Sequence, residues 1–413
     1  MSAPRLPGDV YLRRRIGAGV VALVTAVLVV VVANALLGGS GGGDESAEVA
    51  ASADDEPSTT TSSTTTTTTP IPASQRTLVE VDTIGGTISP KSVVASGDGK
   101  FVAQNMMYQH TITVYDREFN LLKTISDQIT PADWGFDFDP ATTLQGAPVE
   151  ASFSPDGTKA YVSNYHMYGG GYGPEPSDGC ADLTRDPSFV YRIDMESLEI
   201  DQVIQVGTVP KFLAVSPDGD QVLVSNWCSY DASIIDTASG EETARIDVGR
   251  FPRGIAFDPS GDRAYVAIMG GDTIVEIDMV NQTNAGSFGL AGSPRHLNIS
   301  PDGSTLYATL NGAGEVAKID LATKQVVARL ATGNAPRSMA ISDDGEALYV
   351  VNYKSNTMSK VLTSSFEEVQ ELPTGTHPIG ITYDDDTERV WVANYSGSIM
   401  VFEDQPVGSA PAG

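Results

Sequence analysis

Five basic residues occupy one position of a repeated pattern and are the side chains best suited to bind a ligand. Each directly follows a proline, in a 413-residue chain whose formal net charge is −28. Cations that converge on an acidic protein would attract an anionic ligand, whereas cations paired with nearby carboxylates would only be solvated surface charges. The pattern is compatible with both interpretations. The five residues are Lys91, Lys211, Arg253, Arg295 and Arg337.

The prolines that precede these residues belong to seven repeats. Each repeat contains four short runs rich in Val, Ile, Tyr and Phe, separated by Gly, Pro, Asp or Asn, which is typical of β-strands joined by tight turns. Four strands per repeat predict the blade of a β-propeller. The chain is therefore predicted to be all-β and to form a seven-bladed propeller of four-stranded blades. The repeats begin at Pro90, Pro148, Pro210, Pro252, Pro294, Pro336 and Pro378, and the last five prolines are 42 residues apart.

The two ends of the repeat array are predicted to pair with each other. Residues 77–84 read as a strand that precedes the first repeat, and the last repeat has no fourth strand of its own. The N-terminal strand is therefore expected to complete the last blade, which closes the ring and leaves no exposed sheet edge. The propeller is predicted over residues 76–405, and residues 406–413 are expected to form a flexible tail.

Two insertions and their neighbouring loops supply further candidate residues on the face that carries the basic residues. The insertions, around residues 130–139 and 167–187, both map to this face, and added loops in repeat proteins often mark the binding face. Trp134, Tyr165 and Trp227 are the aromatic candidates for ligand binding there. Cys180 and Cys228 lie in adjacent repeats on the same face and are expected to form a disulfide.

Catalytic and metal-binding residues are less evident. His296 and His377 are weak candidates for a general base at the channel mouth, where the enzyme alternative would be a lyase or hydrolase acting on an anionic small molecule. The four histidines are spread around the repeats, so no metal site is predicted. The sequence contains no recognisable nucleophile, phosphate-binding or zinc motif, and no cofactor is predicted.

The ends of several second strands resemble a known repeat family. Residues 161–164 read YVSN, residues 349–352 read YVVN and residues 391–394 read WVAN. In these tetrapeptides the chain resembles the YVTN-repeat β-propellers, which include surface-layer proteins. The resemblance implies the seven-bladed fold and implies little about function, since members of that family bind, scaffold or accompany enzymes.

The N-terminal region predicts a membrane-tethered protein. Residues 1–15 are basic, residues 16–37 are an uncharged apolar run long enough to span a bilayer, and residues 38–75 are a linker rich in Gly, Ser and Thr that is expected to be disordered. The apolar run is expected to be a single-pass signal anchor in the cell membrane; cleavage after Ala35 would instead give a secreted protein. In both cases the propeller lies outside the cytoplasm.

These features together predict a monomeric extracytoplasmic binding or scaffold module. Its ligand or partner would be an anionic small molecule, a glycan or a protein that contacts the loop-decorated face and the basic channel mouth. Nucleic acid is excluded as a partner because the acidic surface repels phosphate backbones.

Overall fold

The computed structural model describes residues 70–180 and 186–408. Within these ranges the chain is all-β apart from two 3-10 helices, Ala73–Gln75 and Pro131–Trp134. No helix within them is long and apolar enough to cross a membrane. The predicted basic N-terminus, the predicted membrane helix and residues 38–69 of the predicted linker lie outside the described residues. Residues 73–75, which the prediction assigned to the linker, instead form a 3-10 helix in which Ala73 is buried.

The strands of residues 70–180 and 186–408 form seven four-stranded antiparallel sheets, which is consistent with the predicted propeller. Sheets I to VII are named in chain order, and in sheets I to VI the strands follow one another along the chain. Sheet I contains β2 (Ser92–Ala95), β3 (Lys100–Asn105), β4 (Thr111–Asp116) and β5 (Leu121–Ser126). Sheet II contains β8 (Pro148–Phe153), β9 (Lys159–Asn164), β11 (Phe189–Asp194) and β12 (Glu199–Gln205). Sheet III contains β13 (Pro210–Val215), β14 (Gln221–Asn226), β15 (Asp231–Asp236) and β16 (Glu241–Asp247).

The remaining sheets repeat the same arrangement, and the last one recruits the N-terminal strand. Sheet IV contains β17 (Pro252–Phe257), β18 (Arg263–Ile268), β19 (Thr273–Asp278) and β20 (Thr283–Gly289). Sheet V contains β21 (Pro294–Ile299), β22 (Thr305–Leu310), β23 (Glu315–Asp320) and β24 (Gln325–Ala331). Sheet VI contains β25 (Pro336–Ile341), β26 (Ala347–Asn352), β27 (Thr357–Leu362) and β28 (Glu367–Pro373). Sheet VII contains β29 (Pro378–Asp384), β30 (Arg389–Asn394), β31 (Ser398–Pro406) and β1 (Arg76–Ile84).

The segment between sheets I and II and the insertion between β9 and β11 of sheet II form a small additional sheet. Strands β6 (Gln128–Ile129), β7 (Leu144–Gln145) and β10 (Tyr168–Gly169) pair antiparallel, with β7 in the middle. Aromatic side chains of this region pack with Phe189 and Tyr191 of sheet II. The small sheet therefore extends sheet II beyond the repeated architecture.

Local turn chemistry explains the repeated shape of the sheets. Gly219 has a φ of 79° in the turn after β13, where its backbone N–H donates to the Ser216 carbonyl over 2.8 Å. In sheets I to V the third strand ends in an aspartate that accepts backbone hydrogen bonds from the following turn, as Asp320 does from the N–H of Thr323 over 2.7 Å. Pro, Asp and Gly at these positions stabilise tight turns, which fits their predicted structural role.

The N-terminal segment is anchored by a buried ion pair. Lys360 of sheet VI and Asp404 of β31 are both fully buried, and the Lys360 Nζ lies 2.7 Å from the nearer Asp404 carboxylate oxygen. The same ammonium donates to the backbone carbonyls of Ala73 (2.8 Å) and Arg76 (2.9 Å). On the other side of sheet VII, Trp391 stacks on Phe101 of sheet I with ring centroids 3.8 Å apart. Sheet VII thus contacts both sheet VI and sheet I.

Candidate functional site

Four of the five basic residues, Lys211, Arg253, Arg295 and Arg337, follow a strained turn at the start of an inner strand. In five sheets the residue before the repeat proline has a φ between 57° and 61°, although none of the five is glycine. This left-handed conformation costs of order 1–3 kcal/mol for a residue with a side chain, so surrounding contacts must hold it. The residue after the second strand supplies one such contact, because its N–H donates to the carbonyl of the strained residue over 2.9–3.1 Å. The five strained residues are Val209, Phe251, Ser293, Ala335 and His377.

These four basic side chains and Lys91 line one cavity of about 600 Å³. All seven four-stranded sheets contribute to its lining, so the cavity lies where the inner strands converge. Tyr165 and Trp227 also line it. The sequence repeat therefore identified a set of residues that is contiguous in space.

The basic side chains are more buried than a charged rim would be. The exposed fractions of Lys211, Arg253 and Arg295 are only 7%, 7% and 6%. These three side chains are therefore largely removed from solvent. Burial matters because a cation removed from water without an anionic partner is strongly destabilising.

Few negative charges compensate these cations within the residues that the structure describes. Lys211 forms an ion pair with Asp178, whereas the other four basic residues form no ion pair with any described residue. The Nε groups of Arg295 and Arg337 are buried and have no hydrogen-bond acceptor among the described residues. Buried donors are nearly always satisfied in proteins, so these two groups need an acceptor, such as a water molecule or a bound anion, besides the described protein atoms.

The pKa values of the basic groups are lowered by the same environment. Burial, followed by the charge of Arg253, lowers the pKa of Lys211 to about 7 despite its pairing with Asp178. Burial and the charge of Arg337 lower the pKa of Arg253 to about 10. Burial and the neighbouring arginines also hold the pKa values of Lys91 and Arg295 well below their usual range. An anion in the cavity would reverse these shifts, because it favours the charged form of each group.

Aromatic rings form cation–π contacts with three of the basic residues. The Lys211 Nζ lies 3.9 Å from the centroid of the Trp227 ring, and the Arg337 guanidinium carbon lies 3.9 Å from that of Tyr353. The Lys91 Nζ lies 5.5 Å from the ring centroid of Tyr395. Each ring follows a second strand and partly offsets the cost of burying the charge through its negative face.

A disulfide fastens one wall of the cavity. Cys180 and Cys228 are bonded, which confirms the predicted pair. The segment before Cys180 carries Asp178, whose backbone carbonyl accepts a hydrogen bond from the Trp227 Nε1 over 2.8 Å. The Tyr165 hydroxyl donates to the Pro176 carbonyl over 3.1 Å. The disulfide and these hydrogen bonds hold the Asp178 carboxylate against Lys211.

Three predicted candidates lie elsewhere. Trp134 packs in the aromatic cluster of the small additional sheet and does not line the cavity. His377 stacks on Tyr353 with ring centroids 4.4 Å apart, and neither ring lines the cavity. His296 packs edge-on against Phe212 and lines a different cavity. The two histidines therefore do not meet in the basic cavity and do not form a shared catalytic site there.

Several lining residues were missed by sequence reasoning although the repeat contains a signal for them. They occupy the same repeat position as Tyr165 and Trp227, directly after the second strand. Comparing this position across all repeats would have identified them. The missed residues are Met106, Met269, Asn311 and Tyr395.

A second cavity of about 320 Å³ is lined by residues farther along the same inner strands. Glu150 lies at its boundary, where the Ser92 hydroxyl donates a hydrogen bond to the carboxyl group. Burial raises the pKa of Glu150 to about 7, although Ser92 and the charge of Arg253 oppose the shift. Burial and the charges of Arg295 and Arg253 lower the pKa of His296 to about 3. This cavity is therefore much less cationic than the first.

Comparison with known proteins supports the fold and gives limited information on function. The family model of the cytochrome D1 heme domain matches residues 260–395, about one third of the chain. The hydrazine synthase of Kuenenia stuttgartiensis has a similar structure, with a TM-score of 0.62 and 17% sequence identity over 78% of this chain and 98% of that chain. At this identity the similarity establishes the fold alone. No curated protein matches the chain in sequence.

These matches correct the resemblance drawn from the tetrapeptides. The matching family model is the cytochrome D1 heme domain, so the assignment to the YVTN-repeat family is wrong. The structure shows why the tetrapeptide misleads. The Asn352 side chain donates to the hydroxyl groups of Thr357 (3.2 Å) and Ser359 (2.8 Å) and so holds the loop between the second and third strands. A buried second strand that ends in asparagine stabilises the following loop in this way. Different families of blades can therefore contain the same tetrapeptide independently.

Proposed function

We propose that this protein is a binding module for an anionic small molecule that occupies the basic cavity where the seven sheets converge. In this proposal the sheets are the blades of one closed ring. Its main support is that five cations line one cavity, whereas among the described residues only Lys211 of the five forms an ion pair. Keeping such groups unpaired lowers stability, which is the usual cost of a site prepared for a ligand.

Guanidinium groups suit an oxyanion especially well. Their planar donors match carboxylate and phosphate oxygens in pairs, and charge-assisted hydrogen bonds of this kind are shorter and stronger than neutral ones. The negative overall charge of the protein repels anions at a distance, whereas the cavity attracts them locally. The site is therefore expected to bind small anions that can enter it and to exclude extended polyanions.

The matching family model raises the question of whether the cavity could hold a heme. Carboxylate groups of a heme would fit the basic residues, but the lining described by the structure contains no histidine or cysteine. Met106 and Met269 offer thioethers, and the Tyr165 phenol is an unfavourable ligand because burial, together with Asp178 and Glu175, raises its pKa. A histidine- or thiolate-ligated heme iron therefore does not fit these residues, and we derive no chemistry through one.

The geometry favours ligand binding over the enzyme alternative. The two histidines that the enzyme alternative would use as general bases, His296 and His377, both lie outside the cavity lining. A purely structural scaffold would not require unpaired buried arginines. Membrane attachment through the N-terminal segment remains part of the proposal and is independent of the cavity.

The proposal is tested by removing charge from the cavity. The triple variant Arg253→Gln, Arg295→Gln, Arg337→Gln should remain folded, since glutamine keeps polar groups while the repulsion among cations is relieved. Binding of citrate, measured by isothermal titration calorimetry at two salt concentrations, should weaken by at least about 100-fold, because each charge-assisted hydrogen bond contributes roughly 1.5–3 kcal/mol. The salt dependence of binding should also become flatter.

A matched control separates local from general charge effects. The variant Arg245→Gln, Arg263→Gln, Arg329→Gln makes the same change in net charge at side chains that are 41%, 45% and 36% exposed. It should bind citrate as the wild type does. Equal binding by wild type and the cavity variant, or equal loss in both triple variants, would contradict the proposal.

A further inference from the structure

The charge balance of the basic cavity indicates how many charges its ligand carries. Among the lining residues that the structure describes, five are positively charged and two, Glu175 and Asp178, are negatively charged. The formal excess is therefore three positive charges. A bound ligand neutralises buried charge most effectively when its own charge is close to the opposite of this excess.

The distribution of the cations excludes a ligand with a single small anionic group. The basic residues come from sheets I, III, IV, V and VI, so they approach the cavity from different sides. One carboxylate can accept paired hydrogen bonds from one guanidinium and further bonds from a neighbour, but it has only two oxygens. Arg295 and Arg337 lie on separate sheets and Lys91 adjoins a third, so these cations reach the cavity from three different sheets.

The rest of the lining fits an apolar body between the charged groups. Met106, Met269 and Val149 contribute apolar surface, and Trp227 and Tyr395 contribute rings. Ligand sites commonly combine such walls with a few charged groups that fix orientation. The volume of about 600 Å³ admits a molecule larger than a simple inorganic ion.

We infer that the ligand is a compact organic dianion or trianion whose carboxylate or phosphate groups are separated by a short apolar body. This inference rests on the proposed function and refines it. Glu150 also affects the net charge near the cavity. Burial raises the pKa of its carboxyl group to about 7, and a neutral Glu150 does not compensate the charges of Arg253 and Lys91. Asp178 remains with Lys211, so the ligand is held chiefly by the three arginines and Lys91.

The test is a series of probes that differ in charge, titrated into the wild-type protein at constant pH and ionic strength. Acetate, succinate and citrate carry one, two and three carboxylates, and inorganic phosphate and pyrophosphate form a parallel phosphate series. Affinity should rise at least about tenfold from acetate to succinate, since each additional anionic group gains a charge-assisted hydrogen bond. Comparison of the carboxylate and phosphate series identifies which oxyanion the site prefers.

A single variant checks the charge complement directly. Arg337→Gln reduces the formal excess to two, so it should lower the ratio of citrate affinity to succinate affinity by about tenfold. The exposed control Arg329→Gln should leave the ratio unchanged. Equal affinity for acetate and citrate, with both lost in the triple cavity variant, would overturn the inference while leaving anion binding intact. Failure of every probe to bind would instead contradict the proposed function itself.

Discussion

Replacing Glu150 by glutamine should make the protein more stable relative to the wild type at high pH and not at low pH. Burial raises the pKa of this carboxyl group from an ordinary 4.5 to about 7 in the folded protein. The unfolded chain therefore releases the proton near pH 4.5, whereas the folded protein retains it until about pH 7. The contribution of Glu150 to stability is fully present below pH 4.5 and is lost as the pH rises to 7.

The size of this effect follows from the two pKa values. A difference of one pKa unit corresponds to about 1.4 kcal/mol, so the interval from 4.5 to about 7 amounts to about 3 kcal/mol of unfolding free energy. The glutamine side chain cannot ionise and keeps an oxygen that can accept the hydrogen bond from Ser92. The stability of the Glu150→Gln variant relative to wild type should therefore increase by about 3 kcal/mol between pH 4.5 and pH 8.

Urea unfolding followed by circular dichroism at pH 4.5, 6 and 8 measures this difference. Other buried acids, such as Asp127, are common to both proteins and cancel in the comparison. Glu315→Gln, which removes the same charge at a side chain that is 31% exposed, should change stability by less than about 1 kcal/mol at every pH. A difference between Glu150→Gln and wild type that does not vary with pH would refute the reasoning.

Three further predictions concern the architecture. Lys360→Met leaves a buried carboxylate unpaired and should lower the unfolding free energy by about 3–5 kcal/mol in urea titrations, whereas the exposed-pair variant Arg329→Gln should cost less than about 1 kcal/mol. Replacing Cys180 and Cys228 by serine opens a loop of 48 residues, so it should lower the unfolding free energy by about 4 kcal/mol and weaken citrate binding. Unchanged thermal unfolding and unchanged citrate affinity would argue against a role for the disulfide. Deleting residues 76–84 exposes the edge of β31 and should cause aggregation on size-exclusion chromatography; a monomer that melts at the parent temperature would contradict this.

The comparison between sequence and structure is most informative for the repeat. Local chemistry alone predicted the four-stranded units, because strand alternation and the Pro, Asp and Gly turns depend on neighbouring residues. Pairing of the N-terminal strand with β31 was also predicted, and the structure confirms that these strands share sheet VII. The basic residues share the repeat position directly after the proline, and all five line the same cavity in the structure. Residues at the same position of similar units lie at similar places in each sheet.

What the repeat could not predict depends on contacts between units. The burial of Arg295 arises from the convergence of several sheets, so no single repeat reveals it. Trp134 lies in an insertion without a counterpart in the other repeats, and only the packing of the small additional sheet shows that it turns away from the cavity.

The sequence by itself determined which residues recur at the mouth of the inner strands, because recurrence is a property of spacing along the chain. The tertiary structure alone decided which of them remain without a partner. Asp178 reaches Lys211 through a disulfide-fastened loop, while Arg337 faces a cavity with no carboxylate placed against it by the described residues. Charge compensation depends on distances across several sheets, and these distances exist only once the sheets have packed together.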